Sequence, residues 1–338
     1  MVRSRFLQRL QAVIGQDATR IIRNRGQCWL DWARALDQPE QPLPPIHRPS
    51  PTPPPALLPK QISVTEITTL RRDPYAIYAR RILKIDPLDA IHRPVAASDL
   101  GSAIHDALGQ FTQAYPHALP SEARTALLEI GQRCFATLSN RPEFVTFWWP
   151  RYLRIIEWFL EFEQTQRQDS RMVLAENPGR HRLDLSPDQS LIVHGRADRI
   201  TLHKDGCFSL YDFKTGRVPT AKEVLSHLES QLTISAALVE KGGFEALGVR
   251  RLRSIDYIKL GGEDGGTFSD LTEKLKDTPL ETLVQEHWQG MTTLFKAYWA
   301  ESRGFTSRLY PPRRDSVGPY DHLARVKEWS LGEQDQES

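Results

Sequence analysis

Asp212 and Lys214 are separated by one residue in the stretch YDFKTG. On a β-strand, where side chains alternate between faces, that spacing sends a carboxylate and an ammonium out together while Phe213 points the other way. A second acidic residue, Asp198, lies in the preceding stretch GRADRI. Between the two stretches stands Lys204-Asp205-Gly206, a tight-turn sequence, so they read as arms of a hairpin that can bring Asp198 beside Asp212 at the sheet edge. Neighbouring carboxylates repel each other, and a divalent cation offsets that repulsion. Oxygen donors suit Mg²⁺ or Mn²⁺, which keep and acidify water, and an adjacent ammonium steadies charge on a phosphate. His105, on an upstream helix, is a candidate to complete the ligand set or to fix a metal-bound water. An Asp-x-Lys pair alone is commonly a surface ion pair and a lone helical histidine commonly structural, so the joint pattern carries the inference.

The elements that must position these residues follow from periodicity. Residues 1 to about 36 read as one or two helices, with Phe6, Leu10, Val13 and Ile14 in one apolar stripe and Trp29, Trp32, Ala33 and Leu36 in another. The proline-dense PLPPIHRPSPTPPPALLP reads as an extended linker. Ser63 opens a helix, with Glu66 three residues on completing a capping box, and that helix ends near Asp73-Pro74. YAIYARRIL is a second helical segment. Ser98 or Asp99 starts the helix GSAIHDALGQFTQAY, in which Ile104, Leu108 and Phe111 share a face beside His105. Residues 121 to about 168 are again helical and rich in core aromatics.

After Met172 the period changes. RMVLAENPGRHRLDL, SLIVHGRADRITLH and CFSLYDFKTG read as strands, residues 219–241 as helical, RLRSIDYIKLG as a strand, residues 263–266 as a flexible loop, and residues 280–301 as a helix. The expected fold class is α/β, a small mixed β-sheet flanked by helices. The expected organisation is a helical segment 1–41, a proline-rich linker 42–60, a main domain 61–330 and a flexible tail 331–338.

Composition narrows the function classes without choosing one. With 40% hydrophobic and 25% charged residues the chain reads as globular rather than disordered or membrane-embedded. Forty-four Lys and Arg against 42 Asp and Glu leave a net charge of only +2, so any nucleic-acid surface must be a local patch. Lys259, Arg308, Arg313 and Arg314 are candidate contacts to a DNA backbone. Cys28, Cys134 and Cys207 lie far apart and form no disulfide framework, which fits a reducing cytoplasm. The basic, amphipathic start MVRSRFLQRLQAVIG is unlike a signal peptide, and the expected location is cytoplasmic with no membrane partner. No GxxxxGK[ST] stretch occurs, so no ATP site is expected.

GSAIHDAL, GRADRI and YDFKTG, in this order and separation, resemble the RecB-type branch of the PD-(D/E)XK nucleases over residues 62 to about 240. The resemblance implies a restriction-endonuclease-like core with helical additions. In it His105 matches the helical histidine, Asp198 the first metal aspartate, and Asp212 with Lys214 the second aspartate and catalytic lysine. It implies a metal set of His105, Asp198 and Asp212, a Mg²⁺ cofactor that Mn²⁺ replaces, and catalytic roles for Asp198, Asp212, Lys214 and Gln231. Gln231, in QLTISAAL, matches the family glutamine that is usually followed four residues later by tyrosine; here Ser235 stands there.

ISVTEITTLRRDPYAIYARRIL and YDHLARVKEWS are similar to the C-terminal nuclease region of the AddB family of double-strand-break repair subunits. Many members hold an iron-sulfur cluster with a cysteine before the first proline and three more near the end. Arg72-Asp73-Pro74 replaces that cysteine here, so no cluster is expected. The resemblance implies an exonuclease, more than an endonuclease, acting on single-stranded DNA or a processed duplex end, with an AddA-type helicase as partner. The alternatives are a free-standing RecB-like single-strand exonuclease of the CRISPR-associated kind and a non-catalytic DNA-binding scaffold that retains the fold.

Overall fold

The computed structural model describes residues 4–38, 46–88, 97–139, 144–275, 278–311 and 316–334. The chain divides into two compact units, one Met1–His47 with Lys327–Ser338, the other Arg48–Val326. In the first, α1 (Arg5–Asp37) carries both apolar stripes and breaks at Gly15, where φ is 79°. No residue of α1 is buried, and Phe6, Trp29 and Trp32 are exposed.

The second unit runs β1 (Gln61–Ser63), α2 (Val64–Arg72), α3 (Pro74–Ile77), α4 (Ala97–Ala114), α5 (Ala123–Cys134), α6 (Trp149–Arg167), β2 (Ser170–Ser186), β3 (Gln189–His203), β4 (Phe208–Lys214), α7 (Ala221–Leu225), α8 (Gln231–Glu240), β5 (Leu252–Leu260), β6 (Gly266–Ser269), α9 (Leu271–Lys274) and α10 (Leu280–Trp299). Last among the described residues comes α11 (Val326–Gln334). The α2 capping box forms: Ser63 Oγ accepts from the Glu66 N–H at 3.2 Å, and the Ser63 N–H donates to Glu66 Oε2 at 2.9 Å. The helical stretch expected over 219–241 forms as two helices. His227, with φ of 60°, turns the chain after α7, and α8 starts afresh at Gln231. The expected loop 263–266 leads into a strand, since Gly261, Gly262 and Gly265 take positive φ and return the chain to pair β6 with β5.

The sheet is mixed, in the order β1-β3-β4-β5-β6, with β2 on the remaining edge of β3. One face carries α2, α8 and α10 through a core that includes Ile67, Leu238 and Phe295. The other carries α4, α5 and α6 through Ile104, Leu127 and Phe159. Among the described residues no helix is long and apolar enough to cross a membrane.

The antiparallel ribbon β2–β3 turns over part-way along. Leu174 and Ile200 pack into the same core cluster as Leu183, Leu185, Leu191 and Val193. A regular strand cannot put odd- and even-numbered residues on one face, so a reversal lies between them. It falls at Glu176, whose φ is 51°, and at the facing Asp198, flanked by the pairs Ala175↔Arg199 and Asn177↔Ala197.

Part of the proline-rich stretch is not a free linker. Proline lacks an N–H but keeps its carbonyl as an acceptor. Pro51 accepts from Phe305 N–H at 2.8 Å, Pro49 from Ser307 N–H at 3.0 Å and Pro59 from Trp299 Nε1–H at 2.9 Å, which straps residues 48–59 to the second unit.

Next to Asp198, Arg199 is fully buried between the rings of Phe162 and Tyr211 and meets Glu163 Oε1 at 3.0 Å. Glu163 also meets Arg167 at 2.6 Å, so one carboxylate neutralises two buried guanidinium groups. Glu163→Ala is expected to lower unfolding stability by about 3–5 kcal/mol, measured by urea denaturation, because it leaves both charges uncompensated. A loss below about 1 kcal/mol contradicts this account of β3.

Candidate active site

Along one edge β3 pairs with β2. Along the other it pairs with β1 at Ile192 to His194 and with β4 from Arg199 to Leu202. Between those contacts the sheet forks, and Asp198 sits at the fork. The last β3–β4 pair is Arg199↔Tyr211, which makes Asp198 and Asp212 the next position on each strand. There the Asp198 carboxylate takes over from the backbone ladder, its Oδ2 accepting the Phe213 N–H at 2.8 Å. Glu176, Asp198 and Asp212 thus occupy one row across three neighbouring strands.

His105 reaches this row from α4, its Nδ1 3.5 Å from Asp198 Oδ2 and its ring edge-on to Phe213. Gly109, four residues further along the same helix face, admits Glu176: a Cβ there would stand 2.8 Å from Glu176 Cγ. One ligand atom from each of His105, Glu176 and Asp198 lies within 4.8 Å of the others. Asp212 is tied differently. Its Oδ2 meets Lys214 Nζ at 2.6 Å, and its Oδ1 accepts from Gln231 Nε2 at 2.7 Å. Gln231 arrives from the opposite sheet face, aimed by the break that begins α8 there.

Burial dominates the electrostatics. It pushes the Asp198 carboxyl up to about 6 against the Phe213 N–H and Lys214, which favour the anion. Asp212 is also pushed up to about 6, by burial and by the charge of Asp198. Burial raises Glu176 against the pull of Arg196, and it lowers His105 against the pull of Asp212. Burial opposes charge on Lys214 as well, but Asp212 outweighs it and the net shift is upward.

A cleft of about 610 Å³ opens over Glu176 and Asp198, lined by His105, Glu176, Arg196, Asp198, Gln231 and Ser235 among others. Ser235, standing where the resembled family usually has tyrosine, is a buried member of that lining. Sequence reasoning missed Glu176. Its signal was an acidic residue at the point where the apolar run MVLA gives way to alternation. Of the expected DNA contacts, Lys259 is exposed beside Lys214 on β5. The Arg308 guanidinium meets Asp321 at 2.6 Å and its side chain is 11% exposed. Arg313 and Arg314 lie outside the described residues.

Residues 61–301 match the PD-(D/E)XK nuclease superfamily. The chain belongs to that superfamily. It is 29% identical over 281 residues to an uncharacterised protein of Rickettsia bellii (strain RML369-C), covering 78% of this chain and 32% of that protein. An uncharacterised protein of Rickettsia conorii (strain ATCC VR-613 / Malish 7) is 30% identical over 203 residues, 59% of this chain and 23% of that one. The chain therefore spans about a third or less of the length of these relatives. The crystal structure of SSO0001 aligns with 70% of this chain and 76% of its own at 13% identity and a TM-score of 0.28.

The donors of this PD-(D/E)XK chain fit a divalent metal. Two carboxylates and an imidazole converge where burial disfavours the carboxylates' negative charge, which a cation relieves, and keeps the imidazole neutral and able to ligate. Without metal, Asp198 works against folding. Its raised value means that its contribution to stability is complete below 3.8 and is lost as pH rises through about 6, a difference of roughly 3 kcal/mol. In EDTA at mildly alkaline pH, Asp198→Asn is expected to raise the Tm. With saturating Mg²⁺ the order reverses, because only the wild type gains binding energy. An Asp198→Asn variant less stable than wild type in EDTA contradicts this balance.

Proposed function

We propose that the protein is a metal-dependent DNA nuclease that hydrolyses phosphodiester bonds during double-strand-break end processing, as the nuclease part of an AddAB-type helicase-nuclease. The observation that carries this reading is the single row of Glu176, Asp198 and Asp212 at the sheet fork, with His105 at one end and Lys214 beside the other. His105, Glu176 and Asp198 are the residues that would hold Mg²⁺ or Mn²⁺, with Asp212 next to them. The bound ion supplies an acidified water and Lewis-acid stabilisation of charge on the phosphate.

The chain's own groups do the rest. Lys214, kept protonated by Asp212, presents an ammonium to the phosphate oxygens or to the attacking water. Gln231 and Lys214 each hold one oxygen of Asp212 and so set the direction of its carboxylate. Hydrolysis joins the water oxygen to phosphorus and releases the 3′ oxygen as a hydroxyl, leaving a 5′-phosphate. The length of the Rickettsia relatives and the sequence resemblance to the AddB nuclease region support a place in a larger machine.

Purified protein is expected to degrade linear single-stranded DNA with Mg²⁺ or Mn²⁺ and to stop in EDTA. Asp212→Ala, Lys214→Ala and Glu176→Ala should each lower kcat by at least about 100-fold, with unfolding midpoints showing that the fold persists. Resistance of circular single strands marks an exonuclease. Undiminished cleavage by the Asp212 and Lys214 variants would falsify the assignment.

A further inference from the structure

Beyond Glu176 and Asp198 the ribbon β2–β3 shows its even-numbered residues outward. Pro178, Arg180 and Arg182 are exposed, while Gly179 and Leu183 face the core. The pairs in register there are Pro178↔Arg196, Arg180↔His194 and Arg182↔Ile192. Each outward row therefore offers one guanidinium, and successive rows are about 7 Å apart at the rise of a strand. The arginine stripe begins in the row next to the carboxylates.

A groove follows the same line. A second cleft of about 570 Å³, lined by Gly179, Arg180, Gly243 and Glu245 among others, shares Pro178, His194 and Gly195 with the cleft over the carboxylates. The three arginine side chains are 68–74% exposed and pair only loosely, Arg196 with Glu176 at 3.5 Å, Arg180 with Glu245 at 3.2 Å and Arg182 with Asp184 at 3.1 Å. Such exposed pairs are worth at most about 1 kcal/mol, so a phosphate can replace the carboxylate partner.

We propose that this outer face is a track for the sugar-phosphate backbone of one DNA strand running between solvent and the carboxylate row, held by Arg196, Arg180 and Arg182. The proposal rests on the nuclease reading for what happens at the inner end, and it adds where a single strand lies and which side chains grip it, without regard to base sequence. One file of guanidinium groups matches one backbone, and contacts to phosphate carry no sequence information.

The test is fluorescence anisotropy of labelled oligothymidylate with the full chain in EDTA, over a range of salt, alongside hydrolysis of thymidine 5′-(p-nitrophenyl phosphate) with Mn²⁺. That small diester occupies the inner end only. Arg180→Ala with Arg182→Ala should weaken oligothymidylate binding and flatten the plot of log affinity against log salt by roughly 1.4, at ~0.7 for each phosphate that is no longer neutralised. Hydrolysis of the small diester should stay at the wild-type rate, and Arg180→Lys with Arg182→Lys should restore most of the slope. Unchanged affinity and slope overturn the track, as does an equal loss on blunt duplex DNA; if wild type still cleaves, the nuclease reading survives that result. Conversely, weakened binding by the variant, with neither DNA nor the small diester cleaved by wild type, keeps the track and removes the nuclease.

Discussion

Placing three carboxyl groups side by side in a half-buried row is costly, and the way this fold tolerates them organises the rest of the molecule. Each is disfavoured as an anion by burial, and Asp212 further by the charge of Asp198. Part of that cost is offset within the chain, by the Phe213 N–H on Asp198, by Lys214 and Gln231 on Asp212, and by Arg196 on Glu176. The remainder is a cost that a bound cation would relieve. A fork in a sheet suits the purpose, because backbone groups freed from the ladder are available to hold side chains.

Two hydrophobic layers converge on the fork. His105 belongs to the layer of α4, α5 and α6, and Gln231 to the layer of α2, α8 and α10. Glycine sets the approach of the first layer, since Gly101 would collide with Thr215 and Gly109 with Glu176 if either carried a Cβ. Beneath the row, Arg199 and Glu163 lock β3 to α6 through a fully buried ion pair.

Much of this was legible in the sequence because it is local. The Asp-x-Lys pair, the tight turn before it, the Ser63 capping box and the change of period after Met172 each depend on neighbours in the chain. What escaped depends on distant contacts or on backbone angles that composition does not announce. Glu176 is in the left-handed region inside a strand, where a glutamate is not expected. His227, also at positive φ, separates α7 from α8. Part of the expected linker is held down because proline carbonyls find donors around residue 305, and the Arg308 guanidinium is engaged by an aspartate thirteen residues later. The order of Glu176, Asp198 and Asp212 required the register of two strand pairs, which alternation of polar and apolar residues does not specify at a point where the ribbon reverses.

The row draws its members from three strands, and its neighbours from helices on opposite sides of the sheet. The row itself lies within the meander β2–β3–β4, but His105 and Gln231 join it only when a helix layer has docked on each side of the sheet. A nascent polypeptide with only the α4 layer docked has His105 but no Gln231, and a slipped hairpin separates the acids. The site is therefore complete only after both helix layers have closed on the sheet.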